Sequence, residues 1–159
     1  MTFTKSLLLM MLVAAPSISW SQQDPMEKLA GTWKQDFSQS KPAPSPVPQL
    51  RTHRWELAGK DKMKHVSEII EADGTRTVTE EQTDDYSGQP YPDGGEGNTS
   101  VFRRIDANTI QQIRTGQDGQ IVRFLERVIS ADGKTLTTRQ IGVNAEGKAN
   151  REIQVYHKQ

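Results

Sequence analysis

The sequence predicts an all-β domain, an antiparallel up-and-down meander of eight to ten strands closing into a barrel behind one short helical turn. Three observations predict it. Acid–glycine corners recur along the chain at Asp73-Gly74, Asp118-Gly119, Asp132-Gly133 and Glu146-Gly147. The steps from Asp61 to Asp73 and Asp106 to Asp118 are 12 residues, and those from Asp118 to Asp132 and Asp132 to Glu146 are 14. Such spacing leaves room for strands of about eight to ten residues between hairpin turns. The segments between the corners alternate in polarity or are rich in β-branched residues, and only one stretch reads as helix.

Met1 to Ser21 is expected to be a secretory signal. Lys5 supplies the positive start, Leu7 to Ala15 is an unbroken apolar run, and Pro16 precedes a small-residue exit at Ser19-Trp20-Ser21. Cleavage is expected after Ser21, leaving residues 22–159 as one domain. Nine to twelve apolar residues are too few for a bilayer, which takes about 20, and no later segment is apolar enough to span one. The mature chain is then expected in a bacterial periplasm or the extracellular medium, consistent with the absence of cysteine.

Asp24-Pro25-Met26-Glu27-Lys28-Leu29 is the helical turn, with Asp24 as cap and Pro25 at the first helical position. Nine strands are expected after it: 32–37, 50–57, 63–71, 76–83, 99–105, 109–115, 120–130, 134–143 and 152–157. Within 120–130, Val122, Phe124 and Val128 share one face. Ile121, Leu125 and Ile129 share the other with Arg123 and Arg127. So many half-apolar strands cannot leave long edges open without inviting aggregation, and consecutive short hairpins favour an up-and-down barrel over a Greek key.

At the start of the first strand, Leu29-Ala30-Gly31-Thr32-Trp33-Lys34 resembles the Gly-x-Trp entry of lipocalins and related calycin barrels. The segment from Ser130 to Thr137, with Val155-Tyr156 near the end, resembles small secreted bacterial lipocalin-like proteins. The resemblance implies a lipocalin-like barrel in which Gly31 lets the chain turn into the strand and Trp33 seals the closed end. A late basic residue, Arg139 or Arg151, would cover that tryptophan. It also implies that the loop from Ser38 to Gln49, with Pro42, Pro44, Pro46 and Pro48 in alternation, overhangs the mouth.

Composition excludes several functions. The 20 basic and 20 acidic residues balance, which argues against a nucleic-acid partner. With no cysteine there is no thiol nucleophile, disulfide framework or thiolate zinc site. His53, His65 and His157 lie on three separate strands without short-range ligand spacing, so no metal or cofactor site is expected. No nucleophile elbow, phosphate loop or dinucleotide fingerprint occurs, and no catalytic residue is assigned. An isomerase or hydrolase would need inward histidine grouped with Asp or Glu.

The expected function is therefore non-enzymatic binding of a small hydrophobic or amphipathic molecule. Its body would lie against Trp55, Ile69, Phe102, Phe124 and Leu136, with Tyr91 at the mouth. Inward Arg123 and Arg127, flanked by apolar residues, would favour a carboxylate or phosphate head group. Tyr86 and Tyr91, in the glycine-rich stretch from Asp84 to Asn98, would fold over the opening as a lid. The alternative is a solid-core barrel whose loops engage an envelope protein. The two differ in whether the interior holds a cavity.

Overall fold

The computed structural model describes residues 23–93, 97–143 and 148–159. The expected signal segment Met1–Ser21, its cleavage site and the Glu146-Gly147 corner lie outside the described residues. Helix α1 (Pro25–Leu29) is followed by β1 (Gly31–Lys41), β2 (Leu50–Leu57), β3 (Lys62–Ile70) and β4 (Arg76–Val78). Next come β5 (Gln82–Asp85), β6 (Tyr91–Pro92), β7 (Thr99–Arg104) and β8 (Thr109–Thr115). The chain ends with β9 (Ile121–Ile129), β10 (Thr135–Val143) and β11 (Ala149–Lys158).

All eleven strands belong to one antiparallel sheet in the order β4-β3-β2-β1-β11-β10-β9-β8-β7-β6, with β5 also paired to β3. The first and last strands meet in register, Trp33 opposite Lys158 and Gln35 opposite Tyr156. The sheet has a seam where its flanks, β5 on one side and β6–β7 on the other, share no ladder among the described residues. Side chains join them instead. Tyr86 stacks on Phe102 with ring centroids 4.4 Å apart, and the Tyr91 hydroxyl donates to Asp84 at 3.0 Å. Arg104 reaches Asp24 at 3.0 Å and Asp61 at 2.6 Å, tying β7 to the helix cap and the β2–β3 turn.

The corners form as the sequence dictates. Gly74, Gly119 and Gly133 have φ of 88°, 78° and 71°, the left-handed region open to glycine. In each turn the preceding aspartate accepts the backbone N–H two residues on, at 2.8, 3.0 and 3.1 Å. This local bond fixes the turn whatever the flanking strands contain.

Two strands depart from expectation. Residues 76–83 do not run as one strand. Val78 faces Glu68 and Gln82 faces His65, so β4 and β5 spend four residues against three on β3. That extra residue is a bulge, anchored by Thr79 Oγ1 accepting the Ser67 N–H at 2.9 Å. Strand β1 overruns its expected end through a larger irregularity between Asp36 and Lys41. There the Asp36 carboxylate accepts Ser38 N and Gln39 Nε2.

The core lies at the α1 end. Met26, Leu29, Trp33, Met63, Ile110, Ile129 and Leu136 are buried together with Tyr86, Phe102 and Tyr156. Cross-strand layers then change character along the axis. Ile129, Leu136 and Tyr156 form one row across β9, β10 and β11. Above it lie Arg127, Thr138 and Gln154, and above those Leu125, Gln140 and Glu152. The barrel is thus plugged with hydrocarbon at one end and lined with polar groups beyond it.

Candidate functional site

The closed end explains its own residues. Gly31 has φ 126°, which calls for glycine, and a Cβ there would press on Lys158 Cε at 2.8 Å. Trp33 is fully buried and donates its indole N–H to Leu29 O at 2.7 Å. The cation over its ring is Lys158, with Nζ 5.2 Å from the centroid and bonded to Lys28 O at 2.8 Å. This corrects the expectation of Arg139 or Arg151. Arg139 lies between the inward Thr138 and Gln140, so alternation turns it outward, where it pairs with Glu126 at 3.1 Å. Arg151 is exposed opposite Ile141.

Above the plug is a cavity of about 200 Å³. Its apolar walls are Trp55, Phe102, Leu125 and the ring of Tyr156. The rest of the lining is polar: His53, His65, Gln82, Asp84, Asp93, Gln112, Arg123, Arg127, Thr138, Gln140 and Gln154.

Arg127 is the central group. It is 8% exposed, and its guanidinium carbon sits 5.2 Å from the Trp55 ring centroid and 5.6 Å from that of Phe102. Two aromatic faces attract the cation through their quadrupoles, yet Nη1 is buried with no hydrogen-bond partner among the described residues. Trp55 Nε1 and Arg123 Nε are also buried donors without an acceptor among the described residues.

Arg114 and Arg123 stand directly opposite each other on β8 and β9, a repulsive placement. Asp93 lies between them, 3.6 Å from Arg114 Nε and 3.9 Å from Arg123 Nη2. Its carboxylate also accepts from Ser100 Oγ and, at 3.3 Å, from Gln112 Nε2. Arg123 further donates to Gln112 Oε1 at 3.2 Å.

The second feature is a histidine pair. His53 Nδ1 and His65 Nε2 are 2.9 Å apart and share one hydrogen bond. Both rings stack with Trp55, at 5.2 and 4.8 Å and within 17° and 7° of parallel. Burial pushes both imidazoles down to about 3; the charge of His65 and then that of Arg127 add to the effect on His53, and the charge of Arg127 adds to it on His65. The pair is neutral at pH 7 and offers one donor and one acceptor. Burial pushes the Asp84 carboxyl up, against the pull of Arg127 and the Tyr91 hydroxyl.

Of the residues expected at the site, Trp55, Phe102, Arg123 and Arg127 line the cavity. Tyr91 is half-buried against the core beside it, with its hydroxyl on Asp84. The other three lie elsewhere. Leu136 is in the plug below. Phe124 alternates with the lining residues Arg123 and Leu125, so it is on the outer face, opposite Ile113 and Ile141. Ile69 shares a face with Met63 and His65 but sits at the far end of β3, opposite Arg51 and outside the cavity lining. Tyr86 is no lid: it is fully buried in the core.

The lining residues that the sequence reading missed include Asp84, Asp93, Gln112, Thr138, Gln140, Gln154 and the His53–His65 pair. For the histidines a signal existed, since His53 and Trp55 alternate on one face of β2. The one-residue choice of β3 register that brings His65 opposite Trp55 had none. Among the described residues no group of three metal-ligating side chains occurs, and no helix is long and apolar enough to cross a membrane.

No protein-family model matches the sequence, and comparison with curated proteins finds no match. Solved structures do match in shape. The wild-type fluorescent protein UnaG is 16% identical with a TM-score of 0.55, over 84% of this chain and 99% of that one. As-p18, an extracellular fatty acid binding protein, is 14% identical with a TM-score of 0.55, over 86% and 100%. The zebrafish ileal bile acid-binding protein complexed with cholic acid is 8% identical with a TM-score of 0.51, over 83% and 99%. At these identities the likeness is one of fold, and the chain has the calycin-type β-barrel fold of these proteins.

Proposed function

We propose that residues 22–159 form an exported, non-enzymatic barrel that binds a small molecule in the cavity above Trp33, anchored on Arg127 with Arg123. The observation that carries this reading is the buried Arg127 guanidinium. It is held in place by two aromatic rings and leaves Nη1 inside a cavity without an acceptor among the described residues. A buried donor without a partner costs stability, and an anionic or strongly accepting ligand group would supply the missing bonds. Trp55 and Phe102 would bear on the ligand's body, with Tyr91 flanking the entrance. Fold-mates named for fatty-acid and bile-acid binding support the reading without fixing the ligand.

The cavity favours this reading over a solid-core module for an envelope protein. The histidine–carboxylate grouping that an isomerase or hydrolase would need is present, but imidazoles pushed down to about 3 are poor bases at neutral pH. The pair acts here as a hydrogen-bonding surface. Native mass spectrometry of the purified exported protein tests the proposal. An adduct that dissociates on denaturation and is absent from Arg127→Met is expected. A single bare-chain mass, with no small molecule in a denatured extract, would sink it.

A further inference from the structure

The cavity's own chemistry selects among ligands, and this step rests on the binding function just proposed. Eleven of the fifteen lining residues are polar or charged. A hydrocarbon chain placed there would strip water from those groups and return no hydrogen bonds, a cost of about 1–3 kcal/mol for each group left unsatisfied. The volume, about 200 Å³, lies below the roughly 300–1,000 Å³ of pockets for drug-sized ligands. Size and polarity therefore both disfavour a long acyl chain, and they turn the expectation of an apolar or amphipathic ligand toward a hydrophilic one.

Charge narrows the class further. Arg114 and Arg123 share the one carboxylate of Asp93, while Arg127, buried between two rings, has no ion-pair partner among the described residues. This cationic wall calls for an anion, and a monoanion on Arg127 answers it. The unmet donors on Arg127 and Arg123 mark where that anion sits. Around it, Thr138 and Gln140 alternate on the inner face of β10, and the His53–His65 pair presents one donor and one acceptor. Hydroxyl groups, each both donor and acceptor, match such a lining.

We propose that the ligand is a compact, hydroxyl-bearing monocarboxylic acid. Its carboxylate sits at Arg127 and Arg123, and its hydroxyls meet Thr138, Gln140 and the His53–His65 pair.

Isothermal titration of the purified protein with gluconate, hexanoate, glucose and palmitate tests this. Gluconate is expected to bind at least tenfold more tightly than hexanoate, which lacks the hydroxyls, or glucose, which lacks the charge; palmitate should not bind. Gln140→Leu should cut the gluconate-to-hexanoate preference at least threefold, by weakening gluconate binding. An unchanged preference would remove Gln140 from the recognition surface and count against the assignment. Palmitate binding, or hexanoate equal to gluconate, overturns the ligand class and leaves the binding function standing. Silence from all four probes also overturns the class, and the mass spectrum then decides the function: an adduct keeps it, a bare chain removes both.

Discussion

Replacing Arg127 by methionine should make the ligand-free protein more stable. The guanidinium is buried without an ion-pair partner among the described residues. Confining a charge in this way costs several kcal/mol after relaxation, and exchange of buried ionic groups for hydrophobes of similar volume often stabilises by about 1–4 kcal/mol. Against this stand the contacts with Trp55 and Phe102, each worth about 0.5–2 kcal/mol. Methionine keeps part of that attraction, because its stem fills the same space and its sulfur lies against the same rings. The net expectation is a gain of about 1–2 kcal/mol, raising the melting midpoint by roughly 3–8 °C in a domain of this size. Urea titration and calorimetry of ligand-free protein at pH 7 measure it. Arg127→Lys is the control: it keeps the charge but loses the planar stacking, and should be less stable than Arg127→Met. A loss of more than about 1 kcal/mol in Arg127→Met would refute the reasoning. The cation would then be holding the core together, and its unmet donor would no longer point to a ligand.

Three further outcomes follow from the same geometry. His53 and His65 have folded-state pKa values depressed to about 3 from 6.5, so below pH 6.5 the unfolded chain binds more protons than the folded one. Stability should fall as pH drops from 6.5 toward 4.5, at up to about 1.4 kcal/mol per pH unit per ring. The raised Asp84 carboxyl opposes the trend. Urea unfolding of wild type and a His53→Gln/His65→Gln double variant reads the difference, and equal slopes would discard the histidine assignment. Gly31→Ala meets both a positive φ and Lys158 Cε, and should cost about 1–3 kcal/mol in chemical denaturation; a neutral result would mean β1 can re-enter the sheet differently. Lys158→Met should cost about 1 kcal/mol through Trp33 and the bond to Lys28 O, whereas Arg139→Ala on the outer face should stay within about 0.5 kcal/mol. The reverse order would restore Arg139 as the covering base.

The corners and the strand faces were legible in the sequence because they are local. Aspartate bonded to an N–H two residues on, followed by glycine at positive φ, makes a turn at Asp73, Asp118 and Asp132 irrespective of what the strands touch. Alternation likewise put Arg123 and Arg127 on the same face as Leu125 before any partner strand was known. What alternation alone does not give is which of the two faces is inside, or how far one strand slides past the next. Phe124 and Arg139 fell on the outer wall for the first reason. His65 came opposite Trp55, and Lys158 rather than Arg139 over Trp33, for the second, because pairing register is set by the whole set of neighbouring strands. The sequence by itself determined a turning, antiparallel chain with Arg123 and Arg127 on one face with Leu125. Only the tertiary structure decided that Arg127 stands between two aromatic rings above a hydrocarbon plug, since that placement depends on strands β2, β7 and β9, far apart in the chain, sharing one interior.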